Sequence, residues 1–268
     1  MNSKLNVCEV FLSVQGEGIC TGTPSIFIRL SGCNLHCMFK NPDGEITPCD
    51  SPFASIMAEK PQFTSIFEVA QEVTSILEQY PEVKHIVVTG GEPMIQQKAL
   101  ESLFDIIIAI DPDVFITIET NGTIRPSEKM IHTVDLWSIS PKLQSSAHFE
   151  GTDIPKEVQK RHNLLRINPQ VLSSYITKGS AGQLKFVYTG KECVPEIEFL
   201  LENIKGKLTG GVLNTFIYDW DVLLMPEGIC SSELNKSIDN GLLDACYKHG
   251  WRMTDRLQIR VWGNTRGV

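Results

Sequence analysis

Ile26-Phe27-Ile28-Arg29-Leu30-Ser31-Gly32-Cys33-Asn34-Leu35-His36-Cys37 begins as an apolar run and ends in two cysteines. The run reads as a buried strand. A third cysteine, Cys49, stands in a Cys49-Asp50-Ser51-Pro52 turn. Three thiols on the loop leaving a strand are well placed to hold a metal centre at the edge of a sheet. Three rather than four leave a coordination position for something that is not protein. An iron–sulfur cube on three cysteines keeps one iron open to a substrate or cofactor, whereas four thiolates close it for electron transfer.

Outward from this loop, strand-like and helix-like segments alternate. Ser65-Ile66-Phe67-Glu68 has the spacing of a capping box. Ile66, Val69, Val73, Ile76, Leu77 and Tyr80 then recur at helical spacing until Pro81 stops the run. His85 to Val88 reads as the next strand, closed by Gly90-Gly91, and Leu100 to Ile110 as a helix. Val114–Ile118, Leu136–Ile139, Leu184–Val187 and Val222–Leu224 read as further strands. Ser231 to His249 reads as one helix ended by Gly250, and Leu257 to Trp262 as a final strand. This alternation implies parallel βαβ units, hence a barrel or an open doubly wound sheet. Residues 38–62, turn-rich around Asn41-Pro42-Asp43-Gly44, and the polar, irregular stretch 143–182 are longer than ordinary connections and read as lids or binding loops. No repeat, low-complexity tract or linker interrupts the chain, so residues 1–268 are expected to form a single domain.

The chain is long enough to bury a sizeable core. Its formal charge of −8 argues against a nucleic-acid partner, since no basic face dominates. No charged-then-apolar leader suggests secretion. The greasiest helical stretch, Leu103 to Ile110, is interrupted by Asp105 and too short to span a bilayer. A cytoplasmic protein with no membrane partner is the expectation. In that reducing compartment eight cysteines do not make a disulfide framework. The scattered Cys8, Cys20, Cys193, Cys230 and Cys246 read as small buried hydrophobes.

Parallel α/β sheets present their sites at the carboxyl ends of strands, and four such ends carry unusual residues. The cysteine loop is one. In Thr89-Gly90-Gly91-Glu92-Pro93, paired glycines let backbone approach a ligand and Glu92 offers a carboxylate to an ammonium group. Glu119-Thr120-Asn121-Gly122 sets three polar side chains where a tight turn needs only Asn-Gly, and Ser140-Pro141-Lys142 adds a cation at the mouth. Plainer readings exist for each. His36 could complete a structural zinc site with the cysteines, although Cys33, His36 and Cys37 crowd one short turn. The thiols could be inert, the glycine and Asn-Gly segments mere turns, and Lys142 a solvated charge. Their coincidence at successive strand ends favours a site.

The cysteine loop followed, after the next strand, by Gly-Gly-Glu-Pro resembles the radical S-adenosylmethionine superfamily. More narrowly, the chain resembles the 7-carboxy-7-deazaguanine synthase family of queuosine and 7-deazapurine biosynthesis. The likeness runs from Ser13-Val14-Gln15-Gly16-Glu17-Gly18 through the cysteine loop, the Cys49 tetrad and the strand ends. It continues through Leu184-Lys185-Phe186-Val187 and Met225-Pro226-Glu227-Gly228 to the terminal Trp262-Gly263-Asn264-Thr265-Arg266-Gly267-Val268. There are departures. Lys40 occupies the place where the family usually has its third cysteine, so residues 38–48 read as an insertion in the cluster loop. Pro48 replaces an aromatic that packs on adenine, and Ser51 a threonine that donates its hydroxyl to magnesium.

The resemblance implies a partial parallel βα barrel of about six strands. It implies that Cys33, Cys37 and Cys49 hold a 4Fe-4S cluster whose open iron chelates S-adenosyl-L-methionine. Pro48, Asp50, Gly91, Glu92, Ser140, Pro141, Lys142, Gln183 and Lys185 would bind that cofactor, and Ser51 would bind Mg2+. The substrate would be 6-carboxy-5,6,7,8-tetrahydropterin, held by Val14, Gln15, Gly16, Arg29, Thr89 and Val268. The bidentate guanidinium of Arg29 suits a carboxylate, and the terminal block is expected to dock near the site. A 5′-deoxyadenosyl radical would start a ring contraction that loses ammonia, with flavodoxin or ferredoxin as electron donor and a homodimer as the assembly. Two rivals stand beside this reading, a glycyl-radical-enzyme activase and a zinc-stabilised binding module without activity. Replacing Cys49 with alanine is expected to abolish cluster assembly while replacing Lys40 leaves it intact, as read by iron content and absorbance after anaerobic reconstitution.

Overall fold

The computed structural model describes residues 4–41, 44–177 and 180–268. Pro42 and Asp43 of the expected turn, and positions 178 and 179 of the irregular stretch, lie outside the described residues. The chain opens with β1 (Lys4–Val14) and β2 (Pro24–Leu30), paired antiparallel. A small separate ladder, β3 (Met38–Lys40) with β4 (Ile46–Pro48), precedes β5 (Phe63–Ser65) and α1 (Ile66–Gln79). Then follow β6 (His85–Gly90), α2 (Gln97–Ile110), β7 (Phe115–Thr120), α3 (Glu128–Thr133) and β8 (Leu136–Ile139). The long connection carries α4 (Lys156–Leu165) and α5 (Pro169–Leu172). The chain continues as β9 (Gly182–Tyr188), α6 (Val194–Lys205), α7 (Gly210–Asp219) and β10 (Trp220–Pro226). It ends with α8 (Ser231–Ser237), α9 (Leu243–His249), β11 (Arg252–Met253) and α10 (Leu257–Trp262).

The main sheet has the order β11-β10-β9-β8-β7-β6-β2-β1-β5. From β2 to β11 the pairs are parallel, and β1 and β5 add an antiparallel edge. The fold is therefore α/β with a mostly parallel sheet, as the alternation predicts. Among the described residues the main sheet has nine strands, against about six expected. The additional ones are β1, whose outer half is only half-buried, and the two- and three-residue strands β5 and β11, which are too short to show a period.

Helix α1 starts where the capping box places it. Ser65 Oγ accepts from the Phe67 amide at 3.2 Å, and Glu68 Oε2 from the Ser65 amide at 3.2 Å. Four readings are corrected. Leu257–Trp262 is a helix, although its apolar residues alternate, because the Leu257 amide bonds to the Gly16 carbonyl at 2.9 Å and sheet pairing has ended at Thr254. The helix expected over Ser231–His249 is broken at Asn240-Gly241, where Gly241 takes φ 89°, and resumes as α9. Gly250 caps α9 in the left-handed region at φ 68°. Cys230 is exposed rather than buried, at the solvated N-cap of α8, and Cys20 is half-buried; Cys8, Cys193 and Cys246 are buried as expected.

Strand alternation sorts the parallel sheet into two unlike faces. Ile26, Ile28, Ile86, Val88, Ile116, Ile118, Leu184 and Phe186 share one apolar core with Val69, Val73, Leu100, Leu103 and Phe104 of α1 and α2. The intervening positions, Arg29, Thr89, Glu119, Ser138, Gln183 and Lys185, fall on the opposite face. Parallel sheets are ordinarily apolar on both faces, so this polar face marks where the chain has traded core for chemistry. Among the described residues no helix is long and apolar enough to cross a membrane. Ile28→Ala, at a fully buried position of β2, is expected to lower stability by about 3 kcal/mol in urea denaturation at unchanged m-value.

Candidate active site

The chain between β3 and β4 returns to where it starts. β3 and β4 pair with Met38 opposite Pro48, which brings Cys37 and Cys49, the neighbours of that pair, to the same end of the ladder. Leu35, Cys37 and Phe39 form a buried cluster against which Cys33, Cys49, Leu165 and Val187 pack, so all three cysteines meet in one apolar patch. The long 143–182 connection covers it. Ala147 and Phe149 pack on Met38, and His162 of α4 accepts from the His36 amide at 3.2 Å through Nδ1 while its Nε2 meets Ser146 Oγ at 3.2 Å. Among the described residues no three His, Cys, Asp or Glu side chains converge as a site for one ion. A tetrahedral zinc site requires such convergence.

The next two strand ends clamp the cysteine loop. Glu92 N donates to Gly32 O at 2.8 Å and Gly91 N to Leu30 O at 3.1 Å. A Cβ on Gly91 would lie 2.1 Å from Gly32 O, and Gly90 sits at φ 126°. The paired glycines are therefore required by backbone meeting backbone. Asn121 Nδ2 donates to Asn34 Oδ1 at 3.0 Å, and Asn34 Nδ2 to Thr123 Oγ1 at 2.7 Å, so Asn121-Gly122 is more than a turn. The Glu92 carboxylate is fully buried and accepts from Thr120 Oγ1 at 2.6 Å and from the Asn121 and Met94 amides at 2.7 and 3.0 Å. It ties the end of β6 to the end of β7.

On the polar face the charges pair. Lys185 Nζ meets Glu17 Oε2 at 2.5 Å and stands 3.9 Å from Glu119 Oε1. Gln15 Nε2 and Thr89 Oγ1 donate to the two Glu119 oxygens at 3.1 and 2.8 Å. Gln258 Nε2 and Arg256 Nε donate to Glu17 Oε1 at 2.8 and 3.1 Å, and Arg256 Nη2 donates to Asp50 Oδ2. Gln183 donates to Ser138 Oγ at 2.7 Å and accepts from the Ile19 amide at 2.9 Å. Gln183 and Lys185 thus hold the Val14–Gly18 turn against the sheet. Gly16 packs under Gln258, with no room for a Cβ. Lys142 Nζ donates to Ser140 Oγ at 2.9 Å, and its charge reaches all three cysteines. Ser51 Oγ leans on Asp50 Oδ1 at 3.3 Å. Pro48, Asp50 and Ser51 flank Cys49 on β4 and the turn after it.

Arg29 Nε pairs with Glu9 Oε1 at 2.7 Å, and Arg266 binds the other Glu9 oxygen at 2.9 Å while stacking 3.8 Å from the Phe53 ring. The tail ending in half-buried Val268 is thereby docked beside Arg29. Beside the β3–β4 hairpin lies a cavity of about 690 Å³ lined in part by Lys40, His148, Thr189 and Glu227. Glu227 Oε2 and Thr189 Oγ1 are buried there without a hydrogen-bond partner among the described residues.

Burial sets the electrostatics. It pushes the Cys33 thiol up to about 11, Cys37 up to about 12, and Cys49 upward, with Lys142 opposing in each case. Desolvation also works to raise Glu17 and Asp50, but Lys185 and Arg256 outweigh it at Glu17, as Arg256 does at Asp50, and both carboxyls stay below their usual range. Burial raises Glu227 to about 7 and lowers His162 to about 4.

No family model matches the chain. Over 97% of its length it is 38% identical to a 7-carboxy-7-deazaguanine synthase of Halobacterium salinarum, 91% of which is covered. Over 99% of its length it is 36% identical to the 7-carboxy-7-deazaguanine synthase of Rhodopirellula baltica, 90% of which is covered. The chain belongs to the 7-carboxy-7-deazaguanine synthase family. Its fold is shared with the crystal structure of QueE from Escherichia coli, at a TM-score of 0.53 and 21% identity covering 95% of this chain and 94% of that one.

Within this member of the 7-carboxy-7-deazaguanine synthase family, sequence reasoning passed over Arg256, Gln258 and His162. Arg256 and Gln258 lay in and next to a presumed strand, and His162 in an irregular stretch. A lone buried histidine or arginine has no spacing signature; only its partners reveal it. His162 yields a pH prediction. It is neutral when folded and titrates near its ordinary value when unfolded, so the unfolded chain binds the extra proton as pH falls from about 6.5 towards 4. Stability is expected to fall by about 1 kcal/mol between about pH 7.5 and about pH 5.5, and His162→Gln to flatten that slope in urea titrations.

Proposed function

We propose that the chain is a radical S-adenosylmethionine enzyme that converts 6-carboxy-5,6,7,8-tetrahydropterin to 7-carboxy-7-deazaguanine, with ring contraction and loss of ammonia. The observation that carries this reading is the meeting of Cys33, Cys37 and Cys49 in one buried patch despite the 38–48 insertion. It stands beside a match to 7-carboxy-7-deazaguanine synthases over nearly the full length. Three soft sulfur donors with no fourth thiol at the patch fit a 4Fe-4S cube with one open iron. The partnerless oxygens of Glu227 and Thr189 fit the polar nucleoside end of S-adenosyl-L-methionine. Ser51 and Asp50 offer hard oxygens that fit Mg2+. When bound, the cluster and S-adenosyl-L-methionine supply one-electron cleavage of the sulfonium and the hydrogen abstraction that opens the rearrangement.

The chain's own residues do the rest. Backbone at Gly91, together with Ser140, Pro141 and Lys142, orients the methionyl end, and Pro48 and Asp50 border it. Glu92, Gln183 and Lys185 act one step back: Glu92 fixes the strand ends, and the other two hold Gln15 and Gly16 toward the pterin. Thr89 and Gln15 share Glu119 and present a hydrogen-bonding wall to the pterin edge. Arg29 gives its Nε to Glu9 and would present its Nη groups to a carboxylate, with Val14 and the docked Val268 closing the side. Lys142 sets positive charge beside the three sulfurs and favours their thiolate form. In this reading β2 and β6–β10 are the six strands of a partial barrel within one domain. The enzyme works in the cytoplasm as a homodimer, and flavodoxin or ferredoxin supplies its electron.

The anaerobically reconstituted protein is expected to hold about four irons and absorb near 400 nm. Incubated with S-adenosyl-L-methionine, dithionite, magnesium and the carboxypterin, it is expected to yield 7-carboxy-7-deazaguanine and ammonia by mass spectrometry. A loaded cluster that leaves the carboxypterin unchanged would overturn the reading in favour of the activase. Arg29→Lys is expected to raise KM for the pterin about tenfold or more, from loss of the guanidinium fork, while reductive cleavage of S-adenosyl-L-methionine without substrate stays near wild type.

A further inference from the structure

Arg256 stands between β11 and α10 and has no part in the mechanism above. Its side chain is buried, and its three guanidinium nitrogens each serve a different part of the chain. Nε donates to Glu17 Oε1 at 3.1 Å in the N-terminal turn, Nη1 to the Gly228 carbonyl at 2.6 Å beyond β10, and Nη2 to Asp50 Oδ2 in the cluster loop. Burying a guanidinium this deeply is unfavourable unless every donor is matched, and here each nitrogen has its acceptor.

The segment that Arg256 grips lies off the main sheet, and one backbone bond, from the Gly32 amide to the Ala54 carbonyl at 2.8 Å, ties it to the cysteine loop. β4 pairs only with β3, in a ladder separate from the main sheet. The Cys49 thiol touches Ser55 Oγ at 3.0 Å, and Ser55 in turn bonds back to Ser51 O at 3.0 Å, within the same loop. Asp50 lies between Cys49 and Ser51, and its second oxygen receives the Ser51 hydroxyl. The same C-terminal segment holds the loop from its far side, where Arg266 Nη1 binds Glu59 Oε2 at 2.9 Å and the guanidinium covers Phe53. A loop lengthened by residues 38–48 has more closure entropy to overcome, so anchors of this kind decide where its last thiol stands.

We propose that Arg256 is a positioning residue: by holding the Asp50 carboxylate it places Cys49 and the Ser51 hydroxyl against the rest of the site. Its consequence for turnover rests on the roles assigned above to Cys49 and Ser51; the anchoring itself does not. Hydrogen exchange on the metal-free protein tests the anchor. Arg256→Gln is expected to speed amide exchange over residues 48–55 about tenfold, the loss of one charge-assisted bond, with β2 and β6 unchanged. Asp50→Asn, a change at an exposed side chain that leaves the core intact, is expected to do the same. The double variant is expected to be no faster than Arg256→Gln, since both remove one interaction. Arg256→Lys is expected to restore part of the protection, as a point charge reaches fewer acceptors. In the reconstituted protein, Arg256→Gln is expected to alter the electron paramagnetic resonance spectrum of the reduced cluster and to raise the magnesium needed for half-maximal turnover about tenfold. Arg260→Gln, which breaks a surface pair with Asp255, is expected to do neither. Unchanged exchange over 48–55, additive single effects, or altered exchange with an unaltered spectrum and magnesium response would each overturn the proposal. A wild-type protein that ignores the carboxypterin while the exchange pattern holds would instead remove the proposed function and leave the anchor standing.

Discussion

Charge buried on the polar face of a parallel sheet has to be matched within the protein, and this requirement organises the molecule. Lys185 and Arg256 lie opposite Glu17, Glu119 and the more exposed Asp50, and none of these groups belongs to the same local segment as its partner. Their pairing draws the N-terminal turn, the loop around Asp50, the middle of β9 and the C-terminal crossover to one place. The gain from each pair is largely offset by desolvation. What the network confers is arrangement: a chain that placed any one of these segments elsewhere would leave a bare charge in the interior, and that is strongly unfavourable.

The cysteine loop is positioned by a different device. No side chain intervenes between Gly32 and Gly91, so the two backbones bond directly. Glu92 and Asn121 then serve as struts, the first between the ends of β6 and β7, the second between the β7 turn and Asn34 beside Cys33. The β3–β4 hairpin brings Cys49 back beside Cys37, because a hairpin returns to where it started. Its outer face is covered by Ala147 and Phe149, and the neighbouring Cys33–Cys37 turn is held by His162. The irregular 143–182 connection therefore packs over the cysteine loop, in addition to linking β8 to β9.

Much of this was legible in the residues. The capping box at Ser65, the strand at Ile26–Leu30 and the βα alternation each rest on short-range pattern, and each stands where the pattern places it. The four unusual strand ends also converge in space. Leu257–Trp262 was misread because period-two alternation over six residues cannot be told from one turn and a half of helix with a single buried residue, Ile259. The bonds of Glu92 to Thr120 and Asn121 come from the next strand and have no local signature. Neither has the pairing of Lys185 with Glu17 from the far end of the chain.

By itself, then, the sequence determined the alternating α/β architecture, the three thiols and the set of polar strand ends, because period, caps and turn chemistry act over a few residues. Tertiary structure alone decided which polar groups are paired with one another. It also decided how the β3–β4 hairpin returns Cys49 to Cys37, and that Arg256 joins three separate segments. Those outcomes depend on which distant groups share a buried volume, where an unpaired charge is far more costly than in water, and no local pattern records that.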